Sequence, residues 1–90
     1  MKKDQNVKHE LLTLKNVGKA TYNDLELLGI TSILQLSHAE PDDLFSRLEI
    51  LTGHPQDPCV WDVFAAIIHE AKTGEKTSWW DWTKMRKMKK

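Results

Sequence analysis

The segment from Asp57 to Gly74 constrains the fold more than any other part of this 90-residue chain. Val60, Val63, Phe64, Ile67 and Ala71 recur there at the i, i+3, i+4, i+7 spacing that an α-helix gathers onto one face. Asp57 followed by Pro58 is the pair expected at an N-cap and a first helical position, and Gly74 supplies a C′ stop. Trp61 and Ile68 widen the apolar stripe, so two faces of this helix must be covered. The rest of the chain has to provide the cover.

It does so with more helices. No segment alternates with period two over five or more residues, so the expected fold is all-α, a bundle of about five short helices. Residues 5 to 14 read as a first helix ending in Leu11, Leu12 and Leu14, broken by Lys15-Asn16-Val17-Gly18. Asn and Gly are the residues that best tolerate a left-handed backbone. A second helix runs from about Lys19 to Leu28 and is closed by Gly29. Ile30 reads as a buried plug, and Thr31 as the N-cap of a short helix carrying Ile33, Leu34 and Leu36. Pro41, Asp42 and Asp43 open a fourth helix, which buries Leu44, Phe45, Leu48 and Leu51 and stops at Gly53. After residues 75 to 78, a polar linker, Trp79-Trp80-Asp81-Trp82 places three of the four tryptophans in four positions. Trp79 and Trp82, three apart, are expected to fold back onto the fifth helix. Trp80 is then left for a partner surface; the alternative for the tryptophans as a group is stacking on bases.

Charge is segregated. The net charge is zero, yet residues 4 to 83 hold all thirteen acidic groups and six basic ones, a net −7, while Lys84 to Lys90 carry +5. An acidic body argues against tight duplex binding by the folded part. Within it, Lys15 and Lys19 are the only basic side chains between residues 10 and 46. They flank a tight turn whose N–H groups would point outward at a helix N-terminus, the arrangement that receives an anion through backbone donors and the helix dipole. The same turn also serves as a plain helix–helix connection.

Leu14-Lys15-Asn16-Val17-Gly18-Lys19-Ala20 followed by Leu28-Gly29-Ile30-Thr31-Ser32 resembles a helix-hairpin-helix domain, a SAM-domain-like bundle. The usual hairpin is Gly-x-Gly with Ala two positions later; Asn16 stands at the first glycine, and Gly18 and Ala20 match. Leu36, Pro41-Asp42-Asp43-Leu44, Gln56-Asp57-Pro58-Cys59-Val60 and Trp79-Trp80-x-Trp82 resemble a small bacterial family of pathogenicity-locus or mitomycin-resistance proteins, over about residues 9 to 84. The resemblance implies one domain over 9–83, with an arm and the start of the first helix at 1–8 and a mobile basic tail at 84–90. It also implies weak DNA binding without sequence preference, with Lys15, Asn16, Val17, Gly18, Lys19 and Ala20 at the phosphates. Thr52, Gly53 and His54 lie 35 residues further on and read as a degenerate second hairpin, interrupted by Pro55-Gln56-Asp57-Pro58.

The single cysteine rules out an internal disulfide and fits a reducing, cytoplasmic setting. Cys59, second in its helix, would have a lowered thiol pKa there. His54, Asp57 and His69 are its nearest conceivable partners. Cys59 and His69 are ten apart, about 1000° of helical rotation, and do not share a face. Zinc-site spacing, a P-loop and a nucleophile–base pattern are all missing. The expectation is a non-enzyme without cofactor or metal, with Cys59 structural and Asp57 a cap. No apolar run is long enough to span a bilayer and no h-region follows the basic start, so neither a membrane nor a secretory role is expected. The partner is DNA or, in the alternative, a protein docked on the acidic body. The sequence names no self-association interface.

Overall fold

The computed structural model of the chain describes residues 10–88. The N-terminal arm, the first half of the first expected helix, and Lys89 and Lys90 lie outside the described residues. Among the described residues every regular element is helical. Residues 10–12 form a helical turn, followed by α1 (Lys19–Leu27), α2 (Ile33–Ser37), α3 (Pro41–Thr52) and α4 (Pro58–Thr73). A 3-10 turn, Trp79–Trp82, leads directly into α5 (Thr83–Met88).

Helix α4 is the centre. Phe64, Ile67 and Ile68 are buried on it and meet Leu11 and Leu14 from the N-terminal turn, Leu25 of α1, Leu36 of α2 and Leu44 and Leu48 of α3. Complete burial of each such side chain contributes about 1.5–3 kcal/mol, which is why this one stripe organises so small a domain. Its ends are those expected: the Asp57 carboxylate accepts from the Cys59 amide at 2.9 Å, Pro58 sits in the first turn, and Gly74 closes the helix at φ 82°.

Two buried acids on α4 clamp the periphery. Asp62 is fully buried and accepts from the Thr83 hydroxyl at 2.7 Å and from Arg86 Nε at 2.8 Å and Nη2 at 3.2 Å. Glu70, also buried, accepts from the Lys15 amide at 2.9 Å through one oxygen and from Lys76 Nζ at 2.7 Å through the other. A buried carboxylate is tolerable only when its lone pairs are taken up in this way.

Four expectations need correction. The first helix does not reach residue 14: Thr13 turns both its amide (3.3 Å) and its hydroxyl (2.6 Å) back to the Glu10 carbonyl, tightening the last turn. The N-cap of α2 is Ser32, not Thr31, because Ser32 Oγ accepts from the Gln35 amide at 3.1 Å while Thr31 donates to the Gln35 side chain. Leu51 is exposed rather than buried. The basic segment is helical over 83–88, and its Arg86 reaches inward to Asp62. Trp79 and Trp82 do fold back onto α4 but stay only half-buried, so they cover the core rather than fill it.

Candidate functional site

The turn that joins the N-terminal segment to α1 is built from residues 13–18 and bolted to the far end of α4. Leu14 and Val17 plug into the core, which leaves Lys15, Gly18, Lys19 and Ala20 on the surface. Asn16 takes the left-handed conformation, φ 76°, and its side-chain amide donates to the Thr77 carbonyl at 2.7 Å. The Asn16 side chain is therefore engaged in holding the turn, through one of the two N–H donors of its amide.

Gly18 behaves differently. Its backbone is extended, φ −99° and ψ −169°, a conformation open to any residue, and a Cβ added there would meet nothing within 4 Å. Neither backbone geometry nor internal packing calls for glycine at this position; what its bare Cα does provide is close access from outside. Gly18 is the N-cap of α1: its carbonyl accepts from Tyr22 at 2.9 Å, and no side chain caps the helix. The first N–H groups of a helix have no intrahelical partner, so the start of α1 presents backbone donors and the positive end of a dipole. Lys15 and Lys19 flank this spot, and neither is ion-paired among the described residues. Glu70, whose carboxylate bonds the turn, is shared between the Lys15 amide and Lys76.

The second turn, at Thr52, Gly53 and His54, has other chemistry. Gly53 is left-handed, φ 77°, and ends α3. The Thr52 hydroxyl donates to the Leu48 carbonyl at 2.9 Å, and His54 Nδ1 lies 3.1 Å from the Pro55 carbonyl. The next amide, that of Gln56, is taken by the Glu49 carboxylate at 2.9 Å, and α4 begins with a proline under the Asp57 carboxylate. Two acids thus hold amides of this connection, and its left-handed Gly53 at a helix C-terminus differs from the extended Gly18 at a helix N-terminus.

Cys59 is half-buried. Its thiol pKa is raised, against the lowering expected from a helix start: the hydrogen-bonded Asp57 carboxylate comes first, then partial desolvation and the charges of Asp57 and Asp62, with Arg86 opposing. The conversion to thiolate is thus disfavoured. Asp57 moves the other way, its carboxyl held below the usual range chiefly by the Cys59 amide. Among the described residues no group of three or more His, Cys, Asp or Glu could hold a metal ion, and no helix is long and apolar enough to cross a membrane.

Sequence reasoning missed both acid clamps. It also missed the cluster at the end of α4, where His69 Nε2 lies 2.7 Å from Glu75 and its ring is 5.2 Å from that of Trp82. Trp82 Nε1 donates to the Thr77 hydroxyl at 2.9 Å. Thr77 thereby ties the tryptophan segment to Asn16 and the turn. The only sequence signal for any of this is the presence of acids at interior positions of an apolar helix.

Known proteins give these features a setting. Residues 4–88 match the family described as Pathogenicity locus, Cdd1. The chain is 35% identical over 78 residues to the mitomycin resistance protein McrB of Streptomyces lavendulae, covering 87% of this chain and 74% of that protein. No solved structure matches. A family match over nearly the whole chain, agreeing with a relative of this identity, establishes that the protein belongs to the pathogenicity-locus (Cdd1) family.

Proposed function

We propose that the protein is a weak, non-sequence-specific DNA-binding protein of helix-hairpin-helix type, acting without catalysis in the cytoplasm. The observation that carries the reading is the start of α1: an uncapped helix N-terminus with an open approach over Gly18, flanked by two exposed lysines. A phosphate oxygen meets backbone N–H groups there, and Lys15 and Lys19 add charge on either side. The acidic remainder keeps affinity low and excludes a broad electrostatic footprint. The relative's printed name supports a connection to mitomycin resistance, and DNA binding would give that connection a molecular site.

The test is the double charge reversal Lys15→Glu with Lys19→Glu, titrated against fluorescently labelled DNA of several sequences at low salt. Binding should weaken uniformly across sequences, with unfolding unchanged because both side chains are exposed. Intact binding in the double variant would reject the site.

A second reading, a protein-interaction adaptor, is favoured by a different face. A groove of about 480 Å³ between α2 and α3 is lined by Ile30, Leu34, Leu44, His38 and Arg47. Leu34 is 69% exposed there, an apolar surface suited to a partner chain. Salt-insensitive capture of a protein, with no binding to DNA, would put this reading first.

A further inference from the structure

The helical run that closes the described chain has two unlike sides. Burial and hydrogen bonding divide Trp79–Met88, a 3-10 turn running into α5, into an inner and an outer set of residues. The inner set is Trp79, Trp82, Thr83 and Arg86. Thr83 and Arg86 bond to buried Asp62, and Trp82 bonds to Thr77 and packs on His69. The outer set is Trp80, Asp81, Lys84, Met85, Lys87 and Met88, all exposed, with the Asp81 carboxylate turned back to the Ser78 amide at 3.2 Å. Trp80 is 61% exposed, and its ring stands nearly perpendicular to that of Trp79, 79° at a centroid separation of 5.7 Å, so it is not stacked face to face. Lys84 and Lys87 are exposed and enter no ion pair among the described residues.

From this we infer that the outer face, Trp80 with Lys84 and Lys87, receives an unpaired base together with its flanking phosphates, making single-stranded nucleic acid the preferred form. The inference rests on the DNA-binding reading and names the substrate form of that interface. An exposed indole followed by cations is the pairing that single-strand binders use: the ring stacks on a base of any sequence while the cations follow the backbone. Three observations favour a strand over a lipid surface. The exposed side interrupts Trp80, Met85 and Met88 with Asp81, Lys84 and Lys87, so it is not the broad apolar stripe that an interfacial helix needs. The run is locked in place by the Arg86–Asp62 pair, at 2.8 Å, and is not free to roll an apolar side outward. It is also joined to the phosphate-accepting turn through one residue, since the Thr77 carbonyl accepts from Asn16 at 2.7 Å and its hydroxyl from Trp82 at 2.9 Å.

The experiment compares a labelled oligothymidylate with an abasic phosphodiester strand of the same length and with a duplex. The full chain should prefer oligothymidylate over the abasic strand by roughly 5- to 150-fold, the range that one base–aromatic stack produces. Trp80→Ala should erase that preference and leave abasic-strand and duplex binding in place, while Trp80→Phe keeps most of it. Lys84→Gln with Lys87→Gln should weaken both strands alike. Should Trp80→Ala retain the preference, or the wild type show none while still binding DNA through Lys15 and Lys19, the inference falls and the DNA reading stands. Absence of binding to every strand and duplex at low salt overturns both. Trp80-dependent binding to vesicles of phosphatidylcholine and phosphatidylserine, 4:1, without strand binding would make the face a membrane contact and overturn the inference.

Discussion

Replacing Gly18 by valine separates folding from binding. The site is extended, at φ −99° and ψ −169°, with nothing within 4 Å of an added Cβ. A β-branched residue adopts that backbone without strain. Losing the N-cap preference of glycine costs about 0.5–1 kcal/mol, and reducing the freedom of the unfolded chain returns about 0.4–1 kcal/mol. The net effect on stability should therefore stay within about 1 kcal/mol, or roughly 4–8 °C in Tm for a domain of this size. Were Gly18 left-handed, the loss would be at least 1–2 kcal/mol (roughly, for that backbone alone). Binding should respond far more. The added methyls stand where a phosphate oxygen has to reach the first amides of α1. A hydrogen bond to a charged group is worth about 1.5–3 kcal/mol, so DNA affinity should fall roughly 10- to 150-fold. Urea unfolding and a DNA titration on the same sample provide the two numbers. Destabilisation beyond about 2 kcal/mol refutes the backbone argument, and a stable variant with wild-type affinity refutes the close approach.

Other consequences follow from the acids. Asp62→Ala removes the acceptor of three hydrogen bonds that hold α5. It should cost about 3 kcal/mol, the low end for a broken buried pair because Arg86 can turn toward water, and near-UV circular dichroism of the tryptophans should change with it. The Asp57 carboxyl has a lowered folded-state pKa. Its charge therefore stabilises the protein above the unfolded carboxyl pKa of about 3.9, and that contribution is lost as pH falls through the folded value. Asp57→Asn keeps the capping oxygen without the charge, so urea midpoints of wild type and variant should differ at neutral pH and converge in acid. A constant gap at all pH values would contradict the assignment.

What the sequence made legible was local. Asp57, Pro58 and Gly74 bound α4 as expected because a cap, a first-turn proline and a C′ glycine act within a few residues of themselves. Gly53 closed α3 for the same reason. The choice between Thr31 and Ser32 as cap turned on where the Gln35 side chain points, which spacing does not encode. At the turn, both Asn16 and Gly18 were competent for a left-handed backbone. Asn16 took it because its amide gains a partner 61 residues away, at Thr77. Asp62 and Arg86 are 24 positions apart, and Lys15 and Glu70 are 55 apart. Such pairs arise only once α4 has gathered the chain around itself, so the inward course of Arg86 was hidden within a run of lysines that reads as a solvated tail. The lysines and the glycine of the turn were visible beforehand; what packing added was the reason that their neighbours are unavailable and they are not.

The central claim is that phosphate meets the turn before α1. Its most direct measurement is the slope of log affinity against log salt, for the wild type and for Lys15→Glu with Lys19→Glu, on one duplex. Each phosphate neutralised contributes about 0.9 to that slope on duplex DNA and about 0.7 on a single strand. The account predicts a salt-dependent wild type and a double variant whose slope is flatter by about 1.8 on the duplex, because two phosphates no longer meet a lysine. Equal slopes in the two proteins, or an affinity that does not change with salt, would contradict it.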